Sequence, residues 1–141
     1  MGAKRFTVEE VTSRLGITSR TLHYYEEVGL LPDVGRTEGG HRIYDERTVA
    51  LLEHILRLKG LLGASLQEIS EILAAERDLE QLKERYRSEI SDEEKWQVLD
   101  RGAELLQSLV DTIEEKVDKL RQLQSGFQQR LDRVHQLRQS E

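Results

Sequence analysis

Hydrophobic positions along this 141-residue chain follow two regimes: short helical blocks punctuated by glycine as far as about Ala75, then one long, regular stripe. In the first block Val8, Val11 and Leu15 recur at helical spacing. Thr7 and Glu10 have the spacing of a capping box, and Gly16 stands where a left-handed C-terminal cap is wanted, so a helix is expected over about residues 7–15. A second helix restarts at Thr18 or Ser19 and runs through SRTLHYYEEV to Gly29. Leu22 and Tyr25, with Val28 nearby, fall on one side of it, while Arg20, His23, Tyr24 and Glu27 fall on another. Two short helices joined by a glycine-containing turn form the helix-turn-helix pattern, with one face packing and one facing outward.

Helical periodicity stops in LLPDVGRTEGGHRIY. Arg42, Ile43 and Tyr44, after Gly39-Gly40, are expected to form the return strand of a small hairpin, hence a wing. Asp45 can cap a third helix over about 46–62, whose apolar set is Val49, Leu52, Ile55, Leu56 and Leu58. Ser65 with Glu68 starts a fourth, over about 66–74, carrying Leu66, Ile69, Ile72 and Leu73. This pair is apolar enough to form the core beneath the first two helices.

Beyond Ala75 charge and glutamine dominate. Leu79, Leu82, Tyr86 and Ile90 mark a linker helix over residues 76–91, and Ser91 with Glu94 caps the long helix after it. From Trp96 through Leu99, Ala103, Leu106, Val110, Ile113, Val117, Leu120, Gln124, Phe127, Leu131 and Val134 to Arg138, the steps alternate between three and four. A helix over that span is roughly 70 Å long at about 1.5 Å per residue, too long to bury its stripe on a small domain alone. A second copy is the expected partner, meeting the first along Leu106, Val110, Ile113, Val117, Leu120, Phe127, Leu131 and Val134. Gly102 and Gly126 weaken the helix by about 1 kcal/mol each, and Gln124 and Arg138 interrupt the seam. The fold expected is mainly α: a winged helix-turn-helix domain over 4–75, the linker helix, and a long dimerising coiled-coil helix over 92–141.

Composition narrows the chemistry. Cysteine is absent, which excludes disulfides, thiolate metal sites and cysteine redox chemistry. No apolar run approaches the roughly 18 residues of a membrane span, and MGAKRFTVEE lacks the apolar core of a signal peptide, so the cytoplasm is the expected location. His23, His41, His54 and His135 show no ligand spacing, and neither a phosphate-cradling glycine loop nor a Ser-His-Asp arrangement occurs. No metal, cofactor or enzymatic activity is expected. The net charge of −6 counts against a broad basic surface. Much of the excess lies after residue 75, where 12 basic residues meet 16 acidic ones, against 9 and 11 before it.

RTLHYYEEVGLL, GRTEGGHRIY and GASLQEISEIL, in this order, closely resemble the three most recognisable stretches of the DNA-binding domain of the MerR family of bacterial transcription regulators. The resemblance covers residues 6–73, about half of the chain. It implies a winged helix-turn-helix and an antiparallel coiled coil between two protomers. It also implies binding to double-stranded promoter DNA with an over-long spacer, which the dimer bends and untwists so that RNA polymerase, reached only through DNA shape, engages both promoter elements. Two domains related by a two-fold require a pseudo-palindromic site. His23 stands where the family usually has arginine, so a weaker contact is expected there.

Within that frame Ser19, Arg20, His23, Tyr24, Arg36, His41, Arg42 and Tyr44 are the expected DNA contacts. Arginine and tyrosine donate to phosphate and position the duplex, while Ser19 and His23 lie where the second helix approaches base edges. Solvated surface is the competing reading for the histidines and wing arginines, and Tyr25 is expected in the core. Leu82, Tyr86, Trp96 and Leu99 can line a pocket for a small-molecule effector, although plain helix packing explains them more simply. Two other functions compete with transcription regulation: an architectural or recombination-directing DNA-bending protein, and a coiled-coil adaptor whose winged domain binds protein.

Overall fold

The computed structural model describes residues 4–32 and 34–140. Expectations touching the leading MGA and the last residue of the coiled-coil segment, Glu141, lie outside them. The order of elements is β1 (Arg5–Thr7), α1 (Val8–Leu15), α2 (Ser19–Glu27), β2 (Gly35–Arg36), β3 (Arg42–Asp45), α3 (Glu46–Leu62), α4 (Leu66–Arg87) and α5 (Asp92–Gln139). The backbone divides into two units, one ending at Ser70 and the other beginning at Glu71.

Caps explain why the first unit's helices begin and end where they do. Thr7 and Glu10 exchange side-chain to backbone hydrogen bonds, each 3.2 Å long, in a complete capping box. Thr18 Oγ1 accepts from the Thr21 amide at 3.1 Å to start α2, and Asp45 Oδ1 accepts from the Thr48 amide at 2.8 Å to start α3. At the end of α2 the Gly29 amide donates to Glu26 O and the Leu30 amide to Tyr25 O, the paired bonds of a Schellman motif. Gly29 supplies the left-handed residue this motif needs, with φ of 82°. Val28 belongs to this cap and is half-exposed, not part of the packing side.

The wing hairpin is joined by a strand that the hydrophobic pattern does not announce. β3 is the middle strand of a three-stranded antiparallel sheet in the order β1-β3-β2. Phe6 sits opposite Tyr44, and Arg36 opposite Arg42. Three residues are too few for a period of two to stand out, so Arg5–Thr7 carries no legible strand signal.

Val11, Leu22, Tyr25, Leu30, Leu31, Tyr44, Val49, Leu52, Ile55, Ala64 and Ile69 are the buried apolar residues of the first unit. Burying each large side chain stabilises by about 1.5–3 kcal/mol. Beside them the Arg14 guanidinium lies 5.6 Å from the Phe6 ring centre and 3.7 Å from Glu53, a half-exposed pair that contributes little.

In the second unit the expected break at residue 75 is absent. α4 continues as one helix to Arg87 because Ala74, Ala75 and the charged residues after them favour helix, and no glycine or proline intervenes. Composition changes there, but backbone preference does not. Ser91 accepts from the Glu94 amide to start α5, a single helix of 48 residues. Ile72, Leu73 and Val98 are buried. By contrast Leu106, Val110, Ile113, Leu120, Phe127, Leu131 and Val134 are 47–67% exposed, and Val117 is half-buried. Leu123 and Leu137, also exposed, continue the stripe beside the polar seam positions Gln124 and Arg138.

Candidate nucleic-acid interface

Helix α2 presents Ser19, Arg20, His23, Tyr24 and Glu27 to solvent while Leu22 and Tyr25 anchor it from below. Tyr25 follows its expected place in the core; Tyr24, beside it, is 46% exposed. Ser19, Arg20, Thr21, His23, Tyr24 and Glu27 line one open cleft. A second cleft is lined by His23, Glu26 and Glu27 from α2 together with Val34, Arg36 and Arg42 from the wing. His23 and Glu27 border both, so the exposed face of α2 and the wing form a continuous concave surface.

A tight turn shapes the wing. The Thr37 amide donates to His41 O at 2.8 Å, and the Gly40 amide to Thr37 O at 2.9 Å. Gly40 has φ of 81°, which favours glycine there. Arg36 Nη1 donates across the turn to Gly40 O at 3.1 Å, and His41 is exposed at the turn.

Tyr44 requires a correction. It is fully buried and does not join the exposed face. Its hydroxyl donates to Glu26 Oε1 at 2.8 Å, while Arg42 Nε lies 3.1 Å from Glu26 Oε2. Burial, and then the Glu26 carboxylate, push the Tyr44 phenol well above its ordinary range, so it remains a donor. The physical reason for its position is the Glu26 carboxylate of α2, which receives its hydroxyl. Arg42 and Tyr44, two residues apart, share the face turned toward Glu26, and β1 covers the strand's other edge. Alternation alone groups Tyr44 with Arg42, so no local signal in the sequence places it inside.

Arg20, Arg36 and Arg42 supply the cationic groups of this surface, and Glu26 and Glu27 lie among them. The field is local. Such a surface suits a few directed hydrogen bonds to a polyanion better than diffuse attraction.

The expected effector residues lie in the second unit. Leu82 is half-buried, while Tyr86, Trp96 and Leu99 are exposed, Trp96 by 68%. The Lys95 ammonium lies 5.7 Å from the Tyr86 ring centre. Among the described residues no group of three or more His, Asp or Glu side chains converges to hold a metal ion, and no helix is long and apolar enough to cross a membrane.

Comparison with known proteins bears on this geometry. A family model described as MerR HTH family regulatory protein matches residues 6–76. The chain is 39% identical over 110 residues to the HTH-type transcriptional regulator YfmP of Bacillus subtilis (strain 168), covering 78% of this chain and 79% of that protein. It is 36% identical over 83 residues to the mercuric resistance operon regulatory protein of Bacillus cereus, covering 58% and 62%. The nodulation protein NolA of Bradyrhizobium sp. (strain NC92) is longer, and the 66 matched residues cover 27% of it. Among solved structures, HiNmlR, a MerR family regulator lacking the sensor domain and bound to promoter DNA, is 23% identical. Its TM-score is 0.46, with 82% of this chain and 80% of that chain covered.

Proposed function

Because the chain belongs to the MerR HTH family of regulatory proteins, we propose that this DNA-binding transcriptional regulator acts as a homodimer that bends and untwists the spacer of a pseudo-palindromic promoter. Its work is regulation and not catalysis. RNA polymerase then responds to the reshaped DNA without touching the regulator. The cytoplasm is where such a promoter would be met.

One observation carries the assignment of the interface: α2 and the wing line a common cleft through His23, Arg36 and Arg42. In this reading Arg20, Tyr24, Arg36 and Arg42 donate to phosphates, Ser19 and His23 approach base edges, and His41 meets the backbone from the wing turn. Tyr44 acts from inside, through Glu26. The exposed stripe of α5 supports a second copy as its partner, since water is a poor solvent for so long an apolar face.

A footprint on the DNA upstream of the chain's own gene tests the proposal. The expected result is protection of two half-sites flanking an over-long promoter spacer, with altered cleavage at its centre. Protection away from any promoter spacer would favour an architectural DNA-bending role. Lack of specific protection at low salt would overturn both DNA readings.

A further inference from the structure

Glu26 and Glu27 are neighbours on α2 in opposite surroundings. Glu27 is exposed along the clefts, whereas only 11% of the Glu26 side chain is exposed. Both oxygens of Glu26 are engaged by β3: Oε1 by the Tyr44 hydroxyl at 2.8 Å, and Oε2 by Arg42 Nε at 3.1 Å. One carboxylate therefore joins two residues of the wing to the helix that carries Arg20 and His23.

We propose that Glu26 is a positioning residue for DNA binding, whose carboxylate fixes the wing against α2 and aims the Arg42 guanidinium at a phosphate. This inference rests on the DNA-binding reading above and adds a division of labour within it. A guanidinium offers five N–H donors in a planar fork. The ion pair at Nε holds the guanidinium beside Glu26 and leaves Nη1 and Nη2 for a contact with phosphate. An arginine already ordered this way loses less rotamer freedom when DNA binds. The buried Tyr44 hydroxyl holds the other carboxylate oxygen, so turning the carboxylate away from Arg42 would break that bond. Glu26 adds a negative charge close to a polyanion, but its pairing with Arg42 limits that repulsion.

The test uses the full chain and a duplex that the wild-type protein selects from a randomised pool, with affinity measured by fluorescence anisotropy over a range of salt. Glu26→Gln is expected to weaken binding about tenfold and to lower the salt slope by about one, the loss of one phosphate contact. Arg42→Ala should do the same in the wild-type background, yet add less than about twofold in the Glu26→Gln background, since the guanidinium has already lost its aim. A purely structural role for Glu26 would leave the two losses additive. Arg42→Lys keeps the charge without the fork and is expected to match Arg42→Ala, which provides a second test should Glu26→Gln fail to fold. Wild-type affinity and slope in Glu26→Gln or in Arg42→Lys, or an undiminished Arg42→Ala effect in the double variant, would overturn the proposal. If the wild-type chain selects no duplex at all, the DNA-binding reading falls first and this inference with it.

Discussion

The winged unit and the long helix α5 have similar needs for apolar burial and meet them differently. In the winged unit Val11, Leu22, Leu52, Ile55 and Ile69 are at most 1% exposed, so its core closes within one chain. Along α5 the stripe from Leu106 to Val134 remains largely open. A closed core makes stability a property of the single chain; an open stripe, under the proposed pairing of two copies, makes it a property of concentration. Under the proposed function the contrast also divides roles, with the first unit meeting DNA as a finished surface and α5 pairing two such surfaces.

The largest expected effect comes from attacking the open stripe. Val110→Glu combined with Ile113→Glu is expected to halve the mass seen by sedimentation at micromolar concentration and to weaken binding to a two-half-site duplex by about 10²–10⁴-fold, the loss of effective concentration. A variant that remains dimeric with wild-type affinity would break the comparison. Next is the closed core, where Leu52→Ala is expected to cost about 2–5 kcal/mol in urea unfolding followed by near-ultraviolet tyrosine circular dichroism. The association of α5 should be unchanged in that variant.

Smaller tests sharpen the same line. Asp45→Ala removes the N-cap of α3 and is expected to cost about 1 kcal/mol. Hydrogen bonds from Thr48 hold the Asp45 carboxyl below the usual carboxylate range. A depressed folded pKa gives stability that is present above the unfolded value of about 3.9 and is lost as pH falls through the folded one. Urea midpoints taken down the acid limb should therefore converge for wild type and Asp45→Ala. Smallest is Gly126→Ala, where an added Cβ meets nothing within 4 Å. It is expected to stabilise α5 by about 0.8 kcal/mol, seen as a rise in the melting temperature of the long helix with the winged unit unaffected.

Much of this architecture is written in local signals. Thr7 and Glu10, Thr18, Asp45 and the glycines at 16, 29 and 63 mark helix ends because each satisfies a specific backbone group or backbone angle. The face of α2 is equally legible, since Leu22 and Tyr25 must pack if Arg20, His23 and Tyr24 are to face outward. What escapes a reading by residue type is whatever depends on a distant partner. Strand β1 exists because β3 is there to bind it, and Tyr44 is a core residue because Glu26 receives its hydroxyl. At residue 75 the opposite error operates: a change in polarity suggests a boundary where the helix merely exchanges one kind of good helix former for another.

Pairing through the middle of the sheet also has a consequence in time. Arg5 lies opposite Asp45, forty residues later in the chain, whereas β2 and β3 meet across a short turn. As the polypeptide leaves the ribosome, α1 and α2 can form from residues already made, but β1 and β2 both wait for β3 before they have an edge to join. The N-terminal strand thus stays unpaired until β3 has been made, so the sheet can close only once translation has reached α3.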